Sequence, residues 1–365
     1  MPKINTLPFD DRKIPRRFFY IAIGPIPEEY LLNMRHLAIA AQEHGFEVEV
    51  FVDDEKNIHD AIVKSDRLAS LSDINPLKVK NISQITDGMS KGEEDDEAQY
   101  AGAAAAADSG NYTSQELQSL RDMIAADMVG LKNLASVSDI LRYEELRQNG
   151  GYYLDWDTIP HLEPDMVARD DCGFKFNAFY FRHNLEGGND IIGSVAHHPI
   201  LNCILKNVAN KYQENKTLFD DVYDRSSGYK ISLDDARRDY DAPAIDSSRW
   251  NSARMERTQD ITGPIALTTI VQDCFDLGDE KSASKFLFPS NYPHIVGVTF
   301  VDACLNVAGF DLMSRCTGSW LQKKKPAAFD TEFHGDSKDQ VSGKKSAAQL
   351  VPTLNPPPHP SSRAL

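Results

Sequence analysis

The sequence predicts an α/β protein in which helices pack on a central β-sheet, and two stretches carry this prediction. The chain opens with an apolar run, an amphipathic segment and a second apolar run joined by short links, the pattern of a βαβ unit. Near its middle, an amphipathic segment at 136–149 leads through Gly150 and Gly151 into an apolar run that ends in Asp155 and Asp157. Ligands of open α/β sheets bind at the carboxyl ends of strands, so we expect the functional site there.

Composition fits one large α/β domain with insertions. The chain has 365 residues, is 41% hydrophobic and carries a formal net charge of -16. Such acidity disfavours nucleic acid as a partner, and a phosphate ligand would need a metal ion or local basic residues. The five cysteines form no CxxC pair, which argues against a disulfide framework. This cysteine pattern predicts that the protein works in a reducing compartment. No signal peptide is visible, and no run approaches the roughly 18 apolar residues of a membrane span.

The elements follow from hydrophobic periodicity, glycine and proline positions. Before the centre, we predict a polar arm at 1–13, a buried parallel strand at 18–24, a helix at 28–44, a strand at 47–52, and mixed structure at 58–85 with a short strand at 76–82. A low-complexity acidic and Ala-rich insert spans 87–112. Thr113 and Glu116 then form a capping-box pattern, which predicts a helix with an apolar side from Leu117 to Leu134.

After the centre, the sequence alternates between apolar and polar segments. We predict a strand at 173–181, a loop at 184–188, a short buried segment at 190–194, a helix from 198, a helix at 265–274, and strands at 286–288 and 295–300. The polar region 215–258 is interpreted as a helical lid or an acceptor region, and 323–365 as a disordered tail.

The central unit brings charged side chains together by its length alone. A helix from about 137 to 148, with Ser136 or Ser138 as N-cap, rises about 18 Å, and the strand 152–157 returns at about 3.3 Å per residue. Asp155 and Asp157 should therefore lie beside the first helical turn, where Asp139 and Arg142 share a face.

Carboxylates are hard ligands that favour magnesium or manganese, and a cation there would stabilise a diphosphate leaving group. Arg142 and Asp139 would bind sugar hydroxyls. Each pattern has a simpler structural explanation, since a lone Asp-x-Asp is often a solvated loop and Asp139–Arg142 a helix surface ion pair. The joint arrangement favours a functional site.

The stretch from Ala135 to Asp157 resembles the DxD sugar-binding region of GT-A glycosyltransferases, in particular the glucosyltransferase domains of large clostridial toxins and related bacterial effector enzymes. Segments 14–24, 188–194, 262–264 and 318–320 resemble further family segments in the same order, so the resemblance covers 14–322. It implies a GT-A, Rossmann-like nucleotide-sugar core with a mixed central sheet flanked by helices, plus helical insertions.

The resemblance also implies residue roles at the reacting end of the donor. Asp157 would hold Mn²⁺ or Mg²⁺, with Asp155 contacting the sugar nucleotide or a metal-bound water. Asp139, Arg142 and Tyr153 would hold the donor sugar's hydroxyls, and Asn189 would lie near the reacting centre.

At the nucleotide end, the first strand would contact the base and a C-terminal element would close over the diphosphate. The residues implied for the base are Tyr20, Ile21 and Ala22. Those implied for the diphosphate are Ser319 and Trp320, and Ser319 would also be a metal ligand. The toxin enzymes commonly carry a base-stacking tryptophan where this chain has Ala22, so stacking is expected from elsewhere, with Tyr20 as the candidate.

The implied function is metal-dependent, retaining transfer of a hexose or N-acetylhexosamine from a UDP-sugar to a host protein side chain. The protein would be a secreted bacterial effector acting in the host cytosol, and otherwise cytoplasmic. A glycan- or lipid-directed glycosyltransferase and a non-catalytic sugar-nucleotide-binding scaffold remain alternatives. A haloacid-dehalogenase-type phosphatase fits less well, because its first motif needs Thr or Val where this chain has Ile159.

Overall fold

The computed structural model describes eleven stretches of the chain. They are 13–89, 113–130, 133–161, 174–181, 184–214, 221–224, 229–232, 258–275, 295–299, 304–307 and 310–314. Internal contacts divide the chain into Met1–Leu321 and Gln322–Leu365, and every described residue lies in the first unit. Most of the predicted arm, the insert from 90, the strand at 286–288 and the tail lie outside the described residues.

Strands and helices alternate through the first half of the chain, as predicted. The strands are β1 Arg17–Ala22, β2 Glu47–Val52, β3 Lys78–Asn81, β4 Gly151–Leu154, β5 Thr158–His161, β6 Phe174–Phe181, β7 Asn184–Ser194, β8 Asp221–Asp224, β9 Tyr229–Ser232, β10 Ile295–Thr299, β11 Cys304–Val307 and β12 Phe310–Ser314. The helices are α1 Glu28–Glu43, α2 Lys56–Val63, α3 Ser83–Gly88, α4 Ser114–Ala125, α5 Leu134–Asn149, α6 Pro199–Glu214 and α7 Pro264–Phe275.

Shorter helical turns complete the described structure. They are a 3₁₀ turn at Leu71–Ile74 and π-turns at Ala126–Gly130 and Thr258–Thr262. Of the helices in the described ranges, none has the length and apolar character needed to cross a bilayer.

A seven-stranded sheet in the order β10-β6-β7-β4-β1-β2-β3 forms the centre of the protein. Strands β3, β2, β1 and β4 run parallel, whereas β7 is antiparallel to both β4 and β6. β10 pairs parallel with β6. The predicted α/β class with a mixed central sheet flanked by helices is confirmed.

Alternation along β1 separates two apolar cores on opposite faces of this sheet. Phe18, Tyr20 and Ala22 pack with α1 and α2, whereas Phe19 and Ile21 pack with α4, α5, α6 and α7. The predicted inward side of α6 is confirmed, because its predicted residues are all buried: Ile200, Leu201, Ile204, Leu205, Val208 and Tyr212. The layer that contains α5 and α7 is the one that positions the site.

Three predicted boundaries were wrong around the central unit. Helix α5 begins at Leu134, so Ser136 and Ser138 lie inside it, and Asn133 occupies the N-cap position. The preceding helix α4 ends at Ala125, so Leu134 does not belong to its apolar side. Strand β4 ends at Leu154, before either aspartate, because a hydrogen bond from the Thr158 amide to the Asp155 carbonyl closes a turn into β5.

The predicted loop at 184–188 is also wrong, because these residues begin β7. They pair antiparallel with β6, in which Asn184 pairs with Phe181 and Gly187 pairs with Ala178. Glycines in this stretch suggested a loop, but the antiparallel neighbour supplies the backbone hydrogen bonds that make it a strand. Within the region interpreted as a helical lid, the described strands β8 and β9 form a two-stranded sheet instead.

Arg17 fixes α5 against the sheet at the end of β1 remote from Asp155. Its guanidinium binds Glu49 of β2 at 2.6 Å, Glu145 of α5, and the Gly150 carbonyl at 3.1 Å. Burying these charges is tolerated because they pair with one another. The helix that carries the predicted sugar residues is thereby held in register with β1 and β2.

Gly151 allows the reversal from α5 into β4. Its φ is 104°, and a Cβ there would lie 2.8 Å from the Arg17 carbonyl oxygen. We expect Gly151→Ala to lower the free energy of unfolding by at least about 2 kcal/mol, through the positive φ and the backbone clash together.

Gly45→Ala is the matched control for this substitution. Gly45 also has a positive φ, of 72°, but its Cβ would meet nothing nearer than an Arg16 side-chain nitrogen at 3.7 Å. It should cost about 1 kcal/mol. Urea denaturation measures both values, and equal losses would contradict the role of the clash.

Candidate functional site

A buried polar cluster joins α5, β4, β7 and the Thr258–Thr262 turn at the carboxyl end of β4. Arg142, with 5% of its side chain exposed, lies at its centre. The other members are Asp139, Tyr143, Tyr153, Asp155, Asn189 and Thr262. The structure thus brings together six residues from three different parts of the chain around one guanidinium.

The Arg142 guanidinium contacts three of the elements at once. Its Nη2 lies 2.8 Å from Asp139 Oδ1 and 3.4 Å from Asp155 Oδ1, and its Nη1 donates to the Asn189 carbonyl. The carbon at its centre stands 4.2 Å from the centroid of the Tyr153 ring, a cation–π contact. A planar, always charged group with several fixed donors suits such simultaneous contacts, which a lysine cannot reproduce.

Asp139 is held through both of its carboxylate oxygens. Oδ1 accepts from Arg142 and from Asn189 Nδ2, each at 2.8 Å, and Oδ2 accepts from the Thr262 hydroxyl at 2.9 Å. Burial raises the pKa of Asp139, and the charge of Arg142 and the hydrogen bonds from Thr262 and Asn189 oppose that rise. The carboxylate is therefore fixed in one orientation within a region closed to solvent.

Asp155 retains access to solvent, with 33% of its side chain exposed. The Tyr153 hydroxyl donates to its Oδ1, and its amide donates to the Asp190 carbonyl at 2.8 Å. Burial raises the pKa of Asp155 to about 7, opposed by Arg142 and reinforced by the negative charges of Asp190 and Asp157. A cation or a hydroxyl donor placed there would relieve this crowding of carboxylates.

Asp157 lies in the same link between β4 and β5 and is 5% exposed. Trp156, between the two aspartates, points to the other side, where its ring lies 5.7 Å from that of Tyr30 on α1. Within the described ranges, no group of three or more His, Cys, Asp or Glu side chains is arranged to hold a metal ion.

The predicted nucleotide residues of β1 are closed to solvent. Tyr20 and Ala22 are fully buried, and Ile21 is 4% exposed. Burial raises the pKa of the Tyr20 hydroxyl, and the ring packs in the core beneath α1 without a free face. A stacking role for Tyr20 stays a prediction, and Ser319 and Trp320 lie outside the described residues.

Two members of the cluster had no role assigned from the sequence. Tyr143 follows Asp139 by one helical turn, and its hydroxyl lies 3.4 Å from Asn189 Nδ2. Thr262 belongs to the Thr-Gly-Pro turn at 262–264, for which only a resemblance to a family segment was noted. The i, i+4 spacing offered a signal for Tyr143, whereas no local pattern connects Thr262 to Asp139.

One family model matches part of this chain. Residues 52–185 match the model described as the TcdA/TcdB catalytic glycosyltransferase domain. The matched range contains Asp139, Arg142, Tyr153, Asp155 and Asp157. The match confirms the predicted resemblance to the toxin glycosyltransferase domains and the prediction that the chain is a glycosyltransferase.

The chain is also similar to solved structures at low identity. The PaToxG glycosyltransferase is 14% identical over 78% of each chain, with a TM-score of 0.45. The catalytic domain of alpha-toxin from Clostridium novyi is 11% identical over 86% of this chain and 81% of that one, with a TM-score of 0.43.

A third structure, the UDP-bound glycosyltransferase domain of the YGT toxin, is 13% identical over 73% of this chain and 79% of that one, with a TM-score of 0.39. No curated protein matches the sequence.

Proposed function

We propose that this toxin-type glycosyltransferase takes a hexose or N-acetylhexosamine from a UDP-sugar and transfers it to an acceptor with retention at the anomeric carbon. The observation that carries the proposal is the buried Asp139–Arg142–Asp155 cluster within the segment that matches a catalytic glycosyltransferase domain. A structural ion pair would need no third, solvent-accessible carboxylate, whereas Asp155 keeps 33% of its side chain open.

The donor sugar would bind at the open edge of the cluster. Asp139, Arg142 and Tyr153 are the proposed sugar residues, and their burial means that they present a fixed edge rather than flexible side chains. Asn189, which binds Asp139 at 2.8 Å, is partly exposed and would lie near the reacting centre. Fixed donors and acceptors favour catalysis because they need no reorganisation as charge develops.

The residues present fit a divalent cation. Asp155 and Asp157 provide hard oxygen donors two residues apart in the link between β4 and β5. With Ser319, they would hold Mn²⁺ or Mg²⁺, which would supply charge stabilisation for the departing diphosphate. Asp155 would stay ionised when held by a cation and Arg142 together, while Tyr153 fixes its orientation through the hydroxyl.

The acceptor is proposed to be a side chain of a host protein, with the enzyme acting as a secreted bacterial effector in the host cytosol; cytoplasmic action in the producing cell is the other possibility. A glycan- or lipid-directed glycosyltransferase is the alternative for the acceptor. A scaffold that binds a sugar nucleotide without catalysis is the alternative for the activity, and hydrolysis of the donor distinguishes them.

Incubation of the protein with Mn²⁺ and a panel of UDP-sugars tests the proposed function. We expect UDP release from at least one UDP-sugar, and a rise in melting temperature with that donor. Asp157→Ala should reduce UDP release by about 100-fold or more, because it removes a proposed metal ligand. UDP release is followed by a coupled assay, and binding by thermal shift.

Asp66→Ala is the matched control, since Asp66 is an exposed aspartate on the loop after α2. It should behave as the wild type in both assays. No response of the wild type to any UDP-sugar would refute the proposed donor. Donor binding without any UDP release would favour the scaffold.

A further inference from the structure

The turn that precedes α7 places one hydroxyl inside the candidate site. Thr262 is fully buried, and its Oγ1 lies 2.9 Å from Asp139 Oδ2 and 3.2 Å from the Thr258 carbonyl. The hydroxyl has one proton, and the shorter distance and the charge of the carboxylate direct it to Asp139. Arg142 and Asn189 bind Oδ1 of Asp139, so Thr262 is the residue that binds Oδ2.

Side chains of α6 and of the α5 N-cap hold this turn, so the Thr262 hydroxyl has a defined position. The Thr258 hydroxyl donates to Asn133 Oδ1 at the start of α5, at 3.1 Å. Lys211 of α6 donates to the Asp260 carbonyl at 2.7 Å. A Cβ at Gly263 would lie 2.8 Å from the Thr258 carbonyl oxygen, so the turn requires glycine there. Such π-turns are frequent at functional sites.

We propose that Thr262 is a positioning residue of the donor-sugar site: its hydrogen bond to Asp139 Oδ2 fixes the carboxylate that in turn orients Arg142 and Asn189. This inference rests on the proposed function, and it assigns to the Thr-Gly-Pro turn a role in that site. Thr262 lies 123 residues from Asp139 in the sequence, so the bond ties the α7 layer to the central unit.

The loss of this bond should affect the sugar more than the nucleotide. Without the hydroxyl, the buried carboxylate is held through Oδ1 alone, so its orientation is less restricted. The position of Arg142 Nη2, which also faces Asp155, is then less well defined. The proposed nucleotide residues of β1 make no contact with Thr262 among the described hydrogen bonds. Binding of UDP alone should therefore persist when handling of the UDP-sugar fails.

Thr262→Val tests this inference, because valine has nearly the same shape and lacks the hydroxyl. We expect kcat/KM for UDP-sugar hydrolysis to fall by about 10- to 100-fold, the effect of one hydrogen bond to a charged group. UDP affinity, measured by calorimetry, should equal that of the wild type. Thr268→Val is the matched control, since Thr268 is also buried, donates to the Pro264 carbonyl at 2.6 Å and does not reach Asp139.

A second pair of variants isolates the hydroxyl if Thr262→Val fails to fold. Thr262→Ser and Thr262→Ala both lack the methyl group and differ in the hydroxyl, so serine should retain activity that alanine loses. Equal activity of the two, or an equal loss of UDP and UDP-sugar affinity in Thr262→Val, would overturn the positioning role while the enzyme remains a glycosyltransferase. A wild type that hydrolyses no UDP-sugar would refute the proposed function, and the inference with it.

Discussion

Replacement of Arg142 with lysine is expected to reduce kcat/KM for UDP-sugar hydrolysis by at least about 100-fold and to lower the free energy of unfolding by about 3 kcal/mol. Lysine keeps the charge, but a single ammonium cannot reach Asp139, Asp155 and the Asn189 carbonyl together. The buried carboxylate of Asp139 would then lose one of its three partners. Hydrolysis of a responsive UDP-sugar and urea denaturation measure the two effects.

Arg147→Lys separates the loss of activity from the loss of stability. Arg147 lies on the same helix and forms an equally buried pair with Glu144, through contacts of 2.7 and 3.0 Å, but it does not take part in the candidate site. We expect a comparable loss of stability with kcat/KM unchanged at temperatures where the variant is folded. If Arg147→Lys lowers activity as much as Arg142→Lys, the effect of Arg142 is one of folding alone.

Asp155→Asn is expected to abolish UDP-sugar hydrolysis. In the absence of a metal ion, it should also make the stability of the folded protein less dependent on pH. The pKa of Asp155 is raised to about 7 in the folded protein, whereas an unfolded aspartate has a pKa of about 4. Between these values the folded protein binds a proton that the unfolded chain has released. Stability therefore falls as pH rises from about 4 through about 7, and asparagine removes that fall.

Melting temperatures from pH 4 to 8 in a chelator measure this difference. Asp155→Asn should have the higher melting temperature at pH 8, by a modest amount because the side chain is partly exposed. Asp73 provides a control of opposite sign, because backbone hydrogen bonds from Ala69 and Ser70 lower its pKa, so Asp73→Asn should lose stability at neutral pH. Parallel pH curves for Asp155→Asn and the wild type would contradict the raised pKa.

Together these two predictions distinguish the roles within the cluster. Arg142 holds the site together and is needed for both stability and activity. Asp155 is a group whose ionisation costs stability in the absence of a cation, as is common for residues retained for function rather than for folding.

Local sequence was sufficient to predict the central unit. Glycines between a helix and a strand of known rise predicted that Asp155 would lie beside Arg142, and the two side chains are 3.4 Å apart. The prediction was correct although the predicted start of α5 and end of β4 were wrong. Helix α5 begins earlier than predicted, before Asp139, and β4 ends at Leu154, directly before Asp155. The spacing from Asp139 to Arg142 is fixed by the helix and does not depend on where the helix begins.

Contacts over long sequence separations could not be predicted in the same way. Asn189 and Thr262 bind Asp139 across 50 and 123 residues, and no periodic pattern encodes which loop or turn will meet a given helix. The mistaken loop at 184–188 has the same origin, since its strand character depends on pairing with β6. The enclosure of Tyr20 is a tertiary effect as well, because α1 packs on its face of the sheet.

The sequence by itself determined the βαβ opening, the glycine reversal and the side chains at the end of β4, because periodicity and backbone freedom act over a few residues. Only the tertiary structure decided which of those side chains are closed to solvent, and which distant residues hold them. Burial and long-range hydrogen bonds depend on how strands pair and layers pack. Burial raises the pKa of Asp155, and a long-range hydrogen bond connects Thr262 to the proposed sugar site.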